Sequence, residues 1–335
     1  MTHRLAVIGA GAWGTTLAVK LTAAHQVMLW AHTHDVAATL DADRENRRYL
    51  PGVRFPAELA ITGDDTALAA PHDAYLLAVP SAHVRATLKR LAPHLDHRAA
   101  VLSLVKGIEE GTHRRVSEMV DEEVPGHRVG VLSGPNLARE IAQGRPAGTV
   151  VTSADPELAA WFVSFLSSDR FRVYTNPDVI GVELCGALKN VIALAAGMVD
   201  GLKLGDSAKA GIITRGLAEM TRLGVSAGAE QLTFAGLAGV GDLIATCMSP
   251  LSRNRRAGEL IASGLGWTDA APQLAGVAEG VSSVNGALEL AAEHDVELPI
   301  AAQVAAVLHE RRPPMTAVAE LMGREPRDEL AAEPR

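Results

Sequence analysis

A lysine and an asparagine interrupt an otherwise apolar helical segment. In the run from 186 to 197, G-A-L-K-N-V-I-A-L-A-A-G, only Lys189 and Asn190 are polar. A charged lysine is costly to bury unless it is paired. Burial lowers the pKa of a lysine toward neutrality, which suits proton exchange with a hydroxyl or carbonyl oxygen. A lysine at the helix edge with its ammonium in solvent is the alternative, and we favour the functional interpretation.

A glycine-rich turn follows the first apolar run of the chain. Residues 9–14 read G-A-G-A-W-G, directly after the apolar residues 5–8 and at the start of a helical pattern. In this context the spacing predicts a dinucleotide-binding turn rather than a βα turn without a ligand. Gly9 permits a tight turn, Gly11 lets backbone N–H groups approach a pyrophosphate, and Gly14 lets the helix pack closely on the strand.

The end of the second predicted strand carries no carboxylate for an adenosine ribose. An acidic residue is expected there about 20 residues after the glycine turn, but residues 30–34 read W-A-H-T-H and Asp35 stands slightly late. Without an acidic side chain a 2′-phosphate is not repelled, and His32 or His34 can donate to it. The sequence therefore allows NADP as well as NAD, and loop histidines without a role are an almost equal alternative.

Three polar clusters lie where α/β proteins bind ligands, although ordinary loop roles stay open for each. Lys106 follows the apolar run 101–105, at the edge where open α/β sheets bind ligands. The loop 133–136, S-G-P-N, opens a helical segment, so its N–H groups can face an anion. Asp242 ends the turn G-V-G-D, where it can pair with a lysine, bind substrate hydroxyls or cap the next helix.

A cluster of arginines stands at the start of a predicted helix. Residues 252–256 read S-R-N-R-R, with Ser252 at the capping position. Positive side chains at a helix N-terminus oppose the macrodipole, and a bound anion would relieve that conflict. Because arginine fits phosphate well, we interpret this segment as a phosphate site, with a solvated basic face as the alternative.

The elements that must position these residues differ between the two halves of the chain. Up to residue 178, short apolar runs alternate with helical stretches, which predicts a doubly wound α/β domain. Most of the runs are continuously apolar, which indicates a parallel sheet covered on both faces. The predicted strands are 5–8, 27–30, 74–79, 100–105, 129–132, 149–151 and 171–174.

From residue 179 onward almost no strand signal is left, and helical spacing dominates. The predicted helices are 178–199, 207–223, 252–262, 281–294, 300–309 and 315–321. This pattern predicts a dinucleotide-binding domain at 1–178, an all-helical substrate and catalytic domain at 179–323, and a charged, frayed tail at 324–335.

Length and composition exclude several classes of protein. The 335 residues are 48% hydrophobic and 21% charged, which is close to the globular average and enough for about two domains. A net charge of −8 argues against binding to bulk nucleic acid. Cys185 and Cys247 are too few for a disulfide framework, and the 12 histidines show no metal-ligand spacing. With no signal-peptide pattern and no long apolar span, we expect a cytoplasmic protein without membrane insertion.

Taken together, these segments closely resemble the bacterial NAD(P)-dependent glycerol-3-phosphate dehydrogenase family. The resemblance runs from about residue 4 to 323, and its motifs are G-A-G-A-W-G-T at 9–15, V-K-G at 105–107, S-G-P at 133–135, R-V-Y-T-N-P-D at 172–178, G-A-L-K-N-V-I-A at 186–193, I-T-R-G-L-A-E-M at 213–220, G-V-G-D at 239–242 and S-R-N-R-R at 252–256. So many ordered matches are far more specific than one glycine motif. The resemblance implies a Rossmann-like doubly wound domain followed by an all-α domain like the C-terminal domain of 6-phosphogluconate dehydrogenase.

The resemblance also implies a role for each matching position. Lys189 is implied as the proton acceptor in alcohol oxidation and the proton donor in reduction. Substrate contacts are implied for Lys106, Gly134, Asn136, Lys189, Asp242, Ser252, Arg253 and Asn254. Cofactor contacts are implied for Gly9, Gly11, Ala12, Trp13, Gly14, His32, Tyr49, Lys106, Ala138, Arg253, Val277 and Glu279.

Two positions depart from the family pattern. Ala12 stands where the family often has serine, so one hydroxyl to the pyrophosphate is missing. Asn136 stands where the family often has Ser or Thr, which puts that substrate contact in question.

The implied reaction is reversible hydride transfer between NAD(P)H and dihydroxyacetone phosphate, giving glycerol 3-phosphate for phospholipid synthesis. The resemblance implies no metal and makes a homodimer plausible. Two alternatives stay open: a dehydrogenase of the same plan for a β-hydroxyacid or sugar phosphate, and a catalytically silent dinucleotide sensor. A sensor would not need Lys189 and Asp242 together. The sequence decides neither the preference for NAD or NADP nor whether an effector inhibits the enzyme.

Overall fold

The first half of the chain is built on an eight-stranded sheet. A computed structural model describes residues 1–274 and 276–325, so most of the predicted tail, residues 326–335, lies outside the described residues. The order of the strands in the sheet is β3-β2-β1-β4-β5-β6-β7-β8. Their bounds are β1 (Arg4–Ile8), β2 (Gln26–Trp30), β3 (Ala60–Thr62), β4 (Ala74–Leu77), β5 (Ala100–Ser103), β6 (Val129–Ser133), β7 (Ala147–Thr152) and β8 (Phe171–Asn176).

Helices cover both faces of this sheet, as the continuous apolar strands predict. Alternate residues of β1 face opposite sides: Leu5 packs with α1, α2, α5 and α6, whereas Ala6 packs with α3 and α4. These helices are α1 (Ala12–Leu21), α2 (His34–Asp43), α3 (Val84–Leu91), α4 (Val116–Glu123), α5 (Ala138–Ala142) and α6 (Pro156–Leu166). The sequence patterns missed β3, which has three residues, and α2, in which only Ala37 and Leu40 are buried.

The last two strands correct the expectation of a wholly parallel sheet. Strands β1 to β6 run parallel to their neighbours, whereas β7 is antiparallel to β6, and β8 is parallel to β7. The connection from β6 to β7 contains only the five-residue helix α5. Such a helix is about 8 Å long, against about 17 Å for a five-residue strand. It does not carry the chain back to the level where β6 begins, and β7 runs antiparallel to β6.

The described chain after β8 is helical. The long predicted helices are confirmed, and the short helices α9, α10 and α12 were not predicted because four to seven residues carry too little periodicity. The bounds are α7 (Val179–Gly201), α8 (Asp206–Ser226), α9 (Gln231–Phe234), α10 (Asp242–Met248), α11 (Arg253–Ala262), α12 (Trp267–Ala270), α13 (Glu279–Glu293), α14 (Pro299–His309) and α15 (Pro314–Met322).

Helix α7 is the centre of the helical half. Every residue from 181 to 199 is buried, including Lys189 and Asn190. Among the described residues, two stretches are long and apolar enough to cross a membrane: Val179–Gly201 and Gln231–Met248. In the most apolar 18 residues of each stretch, 89% are buried inside the protein for the first and 44% for the second. The apolar character of α7 is therefore explained by the helices packed around it.

Glycines let α11 lie directly on the backbone of α7. A Cβ on Gly197 would lie 1.9 Å from the carbonyl oxygen of Arg255, and a Cβ on Gly258 would lie 2.1 Å from that of Leu194. Both distances are far below van der Waals contact, so only glycine permits this approach. The close packing fixes the start of α11 relative to the middle of α7.

We expect Gly258→Ala to lower the free energy of unfolding by about 1–3 kcal/mol, because the added methyl group overlaps the backbone of α7. Urea unfolding followed by circular dichroism measures this change. The matched control is Gly211→Ala on α8, where a Cβ would meet nothing within 4 Å, and which we expect to be neutral or stabilising by up to about 1 kcal/mol. Equal effects of the two substitutions would contradict the proposed contact.

Candidate active site

Two lysines from different halves of the chain share one buried carboxylate. Lys189 Nζ lies 2.7 Å from Asp242 Oδ1, and Lys106 Nζ lies 2.6 Å from Asp242 Oδ2. Asp242 and Lys189 expose only 2% and 5% of their surface. Burial raises the pKa of Asp242, but the ammonium groups of Lys106 and Lys189 outweigh it and hold that pKa below its usual range. Burial lowers the pKa of Lys106 to about 8, against the opposing effect of Asp242.

Lys106 is held where the loops after β5 and β6 meet α7. Its stem crosses α7 at Gly186, where a Cβ would lie 3.3 Å from Lys106 Cγ and 2.9 Å from Ser133 Oγ. Its ammonium also donates to the Gly134 carbonyl at 2.8 Å, and its own carbonyl accepts from Asn190 Nδ2 at 3.4 Å. Gly134 adopts φ +142°, which favours glycine. The site therefore lies in a cleft between the sheet and the helical half.

Asp242 and Thr246 lie one turn apart on α10 and face Lys189 together. Thr246 Oγ1 accepts from Lys189 Nζ at 2.6 Å and donates to the Asp242 carbonyl at 2.7 Å. The preceding turn, Leu237–Gly241, is a π-type turn in which Gly239 has φ −85° and ψ −105°. A Cβ on Gly239 would lie 2.1 Å from the last carbonyl of α9. Thr246 was not predicted, although its i+4 spacing from Asp242 is the signal that could have revealed it.

The start of α11 is tied to the same lysine-bearing helix. Ser252 caps α11 by accepting from the Arg255 backbone N–H at 3.2 Å. Asn254 Nδ2 donates to Asn190 Oδ1 at 2.8 Å, and Asn254 Oδ1 accepts from the Gly280 N–H at 3.0 Å. Asn254 thus joins α11 to α7 and α13, and it retains one side-chain hydrogen and its backbone N–H for a ligand.

Arg253 and Glu279 lie beside each other where α11 and α13 begin. Gly276 leaves room for Arg253, because a Cβ there would lie 2.7 Å from Arg253 Nη1. Burial raises the pKa of Glu279, and the charge of Arg253 and hydrogen bonds with Ser81 act in the opposite direction. Val277, next to Gly276, is 46% exposed. These residues place a carboxyl group with a raised pKa and a guanidinium side by side at the starts of α11 and α13.

The glycine turn has the geometry expected for a pyrophosphate cradle. Gly9 adopts φ +116° and donates its N–H to the Trp30 carbonyl at 3.0 Å. A Cβ on Gly14 would lie 2.1 Å from the Gly9 carbonyl oxygen, whereas a Cβ on Gly11 would meet nothing within 4 Å. No side chain caps α1 at Gly11. Space and backbone N–H groups are therefore both present at the start of α1.

A chain of contacts joins this turn to several predicted cofactor residues. Asn46 Nδ2 donates to the Ala10 carbonyl at 2.8 Å, and Asn46 Oδ1 accepts from the Tyr49 N–H at 3.1 Å. Thr16 Oγ1 on α1 contacts the Ala138 carbonyl at 3.2 Å. Tyr49 and Ala138 therefore lie close to the turn, and Asn46 is a positioning residue that sequence reasoning missed. His32 is exposed after β2, and its carbonyl accepts from Arg90 at 3.1 Å.

Several buried polar atoms around the cleft have no hydrogen-bond partner within residues 1–274 and 276–325. These atoms are Trp13 Nε1, Ser133 Oγ, Asn136 Oδ1 and Glu279 Oε2. Asn136 Nδ2 donates to Thr149 Oγ1 at 3.0 Å, so the side-chain oxygen Oδ1 is the atom of Asn136 that lacks a partner among the described residues. A buried polar group without a partner costs about 1–3 kcal/mol. Trp13, Asn136 and Glu279 are predicted site residues and Ser133 adjoins Gly134, whereas three further unpaired atoms in the described part of the chain, His72 Nδ1, Thr152 Oγ1 and Ser283 Oγ, belong to other residues. Polar atoms left unpaired at predicted site positions are available to a polar ligand.

The described residues contain no group of three or more His, Cys, Asp or Glu side chains that could hold a metal ion. Cys185 and Cys247 are buried free thiols, and burial raises the pKa of Cys247 to about 12. The chemistry available to the cleft is therefore that of ammonium, guanidinium and carboxylate groups. This set suits binding of an anion and transfer of a proton to an oxygen.

Comparisons with known proteins agree over both halves of the chain. Models of the N-terminal and C-terminal regions of NAD-dependent glycerol-3-phosphate dehydrogenase match residues 4–159 and 178–319. A relative from Streptomyces griseus named glycerol-3-phosphate dehydrogenase (NAD(P)+) is 45% identical over 334 residues, covering 98% of this chain and 99% of its own. A relative of the same name from Thermobifida fusca is 46% identical over 330 residues, covering 97% and 98%.

Solved structures extend the similarity to three dimensions. The crystal structure of glycerol-3-phosphate dehydrogenase from Coxiella burnetii aligns with a TM-score of 0.93 at 38% identity, covering 96% of this chain and 99% of that one. The enzyme of the same name from Saccharomyces cerevisiae aligns with a TM-score of 0.81 at 27% identity, covering 97% and 100%. The predicted arrangement of a Rossmann-like sheet and a helical C-terminal half is confirmed.

Lys106 gives the site a pH dependence that stability measurements detect. Burial lowers the pKa of Lys106 from 10.5 to about 8 in the folded protein. Between these values the unfolded chain binds more protons, so the free energy of unfolding rises with pH. Relative to Lys106→Met, which keeps the apolar stem, we expect wild-type stability to be constant below about pH 8 and to increase up to about pH 9.5. Urea unfolding across this range tests this, and a difference that is flat or decreasing above pH 8 would contradict it.

Proposed function

The chain belongs to the NAD-dependent glycerol-3-phosphate dehydrogenase family, and we propose that it transfers a hydride reversibly between NAD(P)H and dihydroxyacetone phosphate to give sn-glycerol 3-phosphate. The family models match both halves of the chain. The observation that carries the mechanism is the buried Lys189 ammonium, paired with Asp242 in the cleft between the sheet and the helical half. This is an oxidoreductase reaction at a secondary alcohol, and it needs no metal in this mechanism.

The residues around the glycine turn fit a dinucleotide. Gly11 leaves space where a side chain would begin, and the uncapped start of α1 offers N–H groups that suit pyrophosphate oxygens. When bound, a reduced nicotinamide supplies the hydride. We propose that the cofactor is held by Gly9, Gly11, Ala12, Trp13, Gly14, His32, Tyr49, Lys106, Ala138, Arg253, Val277 and Glu279.

Lys189 is the residue we assign to proton transfer. An ammonium has three N–H donors, and Lys189 directs two of them at Asp242 and Thr246. The third is left for the carbonyl oxygen of the ketone. During reduction negative charge develops on this oxygen, and the ammonium stabilises the charge and then donates its proton. In the oxidation direction the neutral amine accepts the proton of the alcohol.

Asp242 and Lys106 support this proton transfer. The carboxylate of Asp242 accepts a hydrogen bond from Lys189 Nζ at 2.7 Å and holds this nitrogen in place. The ammonium of Lys106 donates two hydrogen bonds, one to Asp242 and one to the Gly134 carbonyl. Its remaining donor is available to the substrate.

The start of α11 is the proposed phosphate site. The Ser252 hydroxyl accepts a hydrogen bond from the Arg255 backbone N–H. The first N–H groups of α11, those of Arg253 and Asn254, have no intrahelical acceptor. Together with the positive end of the helix and the Arg253 guanidinium, they suit a phosphate dianion. Binding the phosphate away from the reacting carbon orients the carbonyl group toward Lys189. Gly134 and Asn136 complete the proposed substrate contacts.

The wider biological setting is also a proposal. We infer a cytoplasmic homodimer without membrane insertion or a nucleic-acid partner, which supplies glycerol 3-phosphate for phospholipid synthesis. A net charge of −8 supports the absence of a nucleic-acid partner, and the burial of the apolar helix α7 supports the absence of membrane insertion. We assign dinucleotide binding to residues 1–178 and substrate binding and proton transfer to residues 179–323.

A direct assay tests the function. Purified enzyme mixed with dihydroxyacetone phosphate should oxidise NADH or NADPH, which is followed by the loss of absorbance of the reduced nicotinamide. Parallel titration of the two cofactors determines the preference that the sequence leaves open. Turnover of β-hydroxyacids without turnover of glycerol 3-phosphate would instead identify a related dehydrogenase. Absence of turnover with every substrate would support a dinucleotide sensor.

We expect Lys189→Ala to lower kcat by about 10²- to 10⁴-fold, because the variant lacks the general acid. Binding of NADH, measured by fluorescence titration, should remain within about twofold of the wild type because the glycine turn is unchanged. Circular dichroism checks that the variant is folded. Retention of wild-type turnover would refute the role assigned to Lys189.

A further inference from the structure

A second, partly buried ionic cluster joins three helices next to the start of α11, the proposed phosphate site. Asp200, in the last turn of α7, accepts hydrogen bonds with Oδ2 from Lys209 Nζ at 2.7 Å and from Arg255 Nε at 2.6 Å. Lys209 lies in the first turn of α8 and Arg255 in the first turn of α11. One carboxylate oxygen therefore holds the ends of α7, α8 and α11 together.

The cluster is shielded from solvent. The Lys209 side chain is 7% exposed, and those of Arg255 and Asp200 are 17% and 22% exposed. Ionic hydrogen bonds at such sites have a defined direction and are stronger than neutral ones. Arg255 also pairs with Glu259 at 2.8 Å, but that contact lies within α11 and does not connect it to another helix. Asp200 alone among these carboxylates links Arg255 to α7.

The glycine contacts between α7 and α11 do not by themselves fix the orientation of α11. Gly197 and Gly258 let the two helices approach closely, which sets the distance between their axes. The side chain of Asn254 anchors the first turn of α11 to Asn190 on α7 and to Gly280 on α13. Arg255, the next residue, adds a second anchor at the end of α7, and a second fixed point prevents α11 from pivoting about the first. Arg255 is separated from Arg253 by only one residue.

We propose that Asp200 is a positioning residue that orients the start of α11 toward the substrate phosphate. The proposal rests on the proposed function and adds to it a residue outside the substrate and cofactor contacts. Through Arg255, Asp200 fixes the direction in which Arg253 and the first N–H groups of α11 point. Lys209 holds the same oxygen from α8, so the carboxylate cannot turn away from Arg255. The cluster thereby fixes the phosphate site relative to Lys189, which lies on the same helix as Asp200.

The experiment compares Asp200→Asn with Glu259→Gln in the full-length enzyme. Both substitutions remove a carboxylate charge from Arg255, but only the first breaks the link to α7. For Asp200→Asn we expect the KM for dihydroxyacetone phosphate and the inhibition constant for inorganic phosphate each to rise about tenfold, because a small misplacement of a binding group is costly. The dissociation constant for NADH should rise by less than about threefold, because Arg253 is only one of the twelve proposed cofactor contacts and the glycine turn is remote from the cluster. Glu259→Gln should leave all three constants near wild type.

A second variant covers the possibility that Asp200→Asn does not fold. Asp200→Asn combined with Lys209→Met removes one charge of each sign and restores the charge balance. It should show the same rise in the KM for dihydroxyacetone phosphate and in the inhibition constant for phosphate.

Unchanged phosphate constants in the folded variants, with only a lower melting temperature, would overturn the proposal and leave Asp200 a purely structural residue. An equal rise in the Glu259→Gln control would also overturn it. A wild-type enzyme that does not reduce dihydroxyacetone phosphate would reveal failure of the proposed function itself, and this inference would fall with it.

Discussion

The carboxylate of Asp242, held between two ammonium groups, is the interaction on which the rest of the site depends. Taking charged groups out of water costs several kcal/mol per ion, and only short, well-directed contacts offset that cost. Here Lys106 and Lys189 each approach a different oxygen of the carboxylate. The three side chains together carry one net positive charge, which suits an anionic substrate. Because Lys106 comes from the loop after β5 and the other two residues come from helices, the same contact also joins the two halves of the chain.

The helical half provides the rigid frame that this arrangement requires. Lys189 lies near the middle of α7, which is buried along almost its whole length. Glycines in α11 and α13 bring both helices against its backbone: a Cβ on Gly280 would lie 2.4 Å from the Asn190 carbonyl oxygen. Asn254 then links all three helices by two hydrogen bonds. Groups that bind phosphate and the group that transfers a proton are therefore fixed relative to one another, as orientation in catalysis requires.

Local patterns were sufficient to predict the parts of the molecule that depend on local physics. The continuous apolar strands, the glycine turn before α1 and the isolated Lys189 each follow from a few neighbouring residues. The reversal of β7 could not be predicted in this way, because it depends on how far α5 can carry the chain across the sheet. Thr246 was missed because its role is defined by Lys189, a residue distant in sequence. For the same reason the sequence could not show that the Asn254 side chain joins three helices.

The buried polar atoms without partners separate a catalytic cleft from a merely well-packed one. A fold selected for stability alone would pair or remove Ser133 Oγ, Asn136 Oδ1 and Glu279 Oε2, since each costs about 1–3 kcal/mol when left unsatisfied. Glu279 illustrates the point: burial raises its pKa, although a guanidinium and a serine lie close enough to lower it. The remaining contacts of the domain offset the cost of such groups, and a ligand that completes their hydrogen bonds removes that cost. Trp13, Asn136 and Glu279 are predicted cofactor or substrate residues, so a dinucleotide with its phosphorylated substrate would offer their unpaired atoms hydrogen-bond partners.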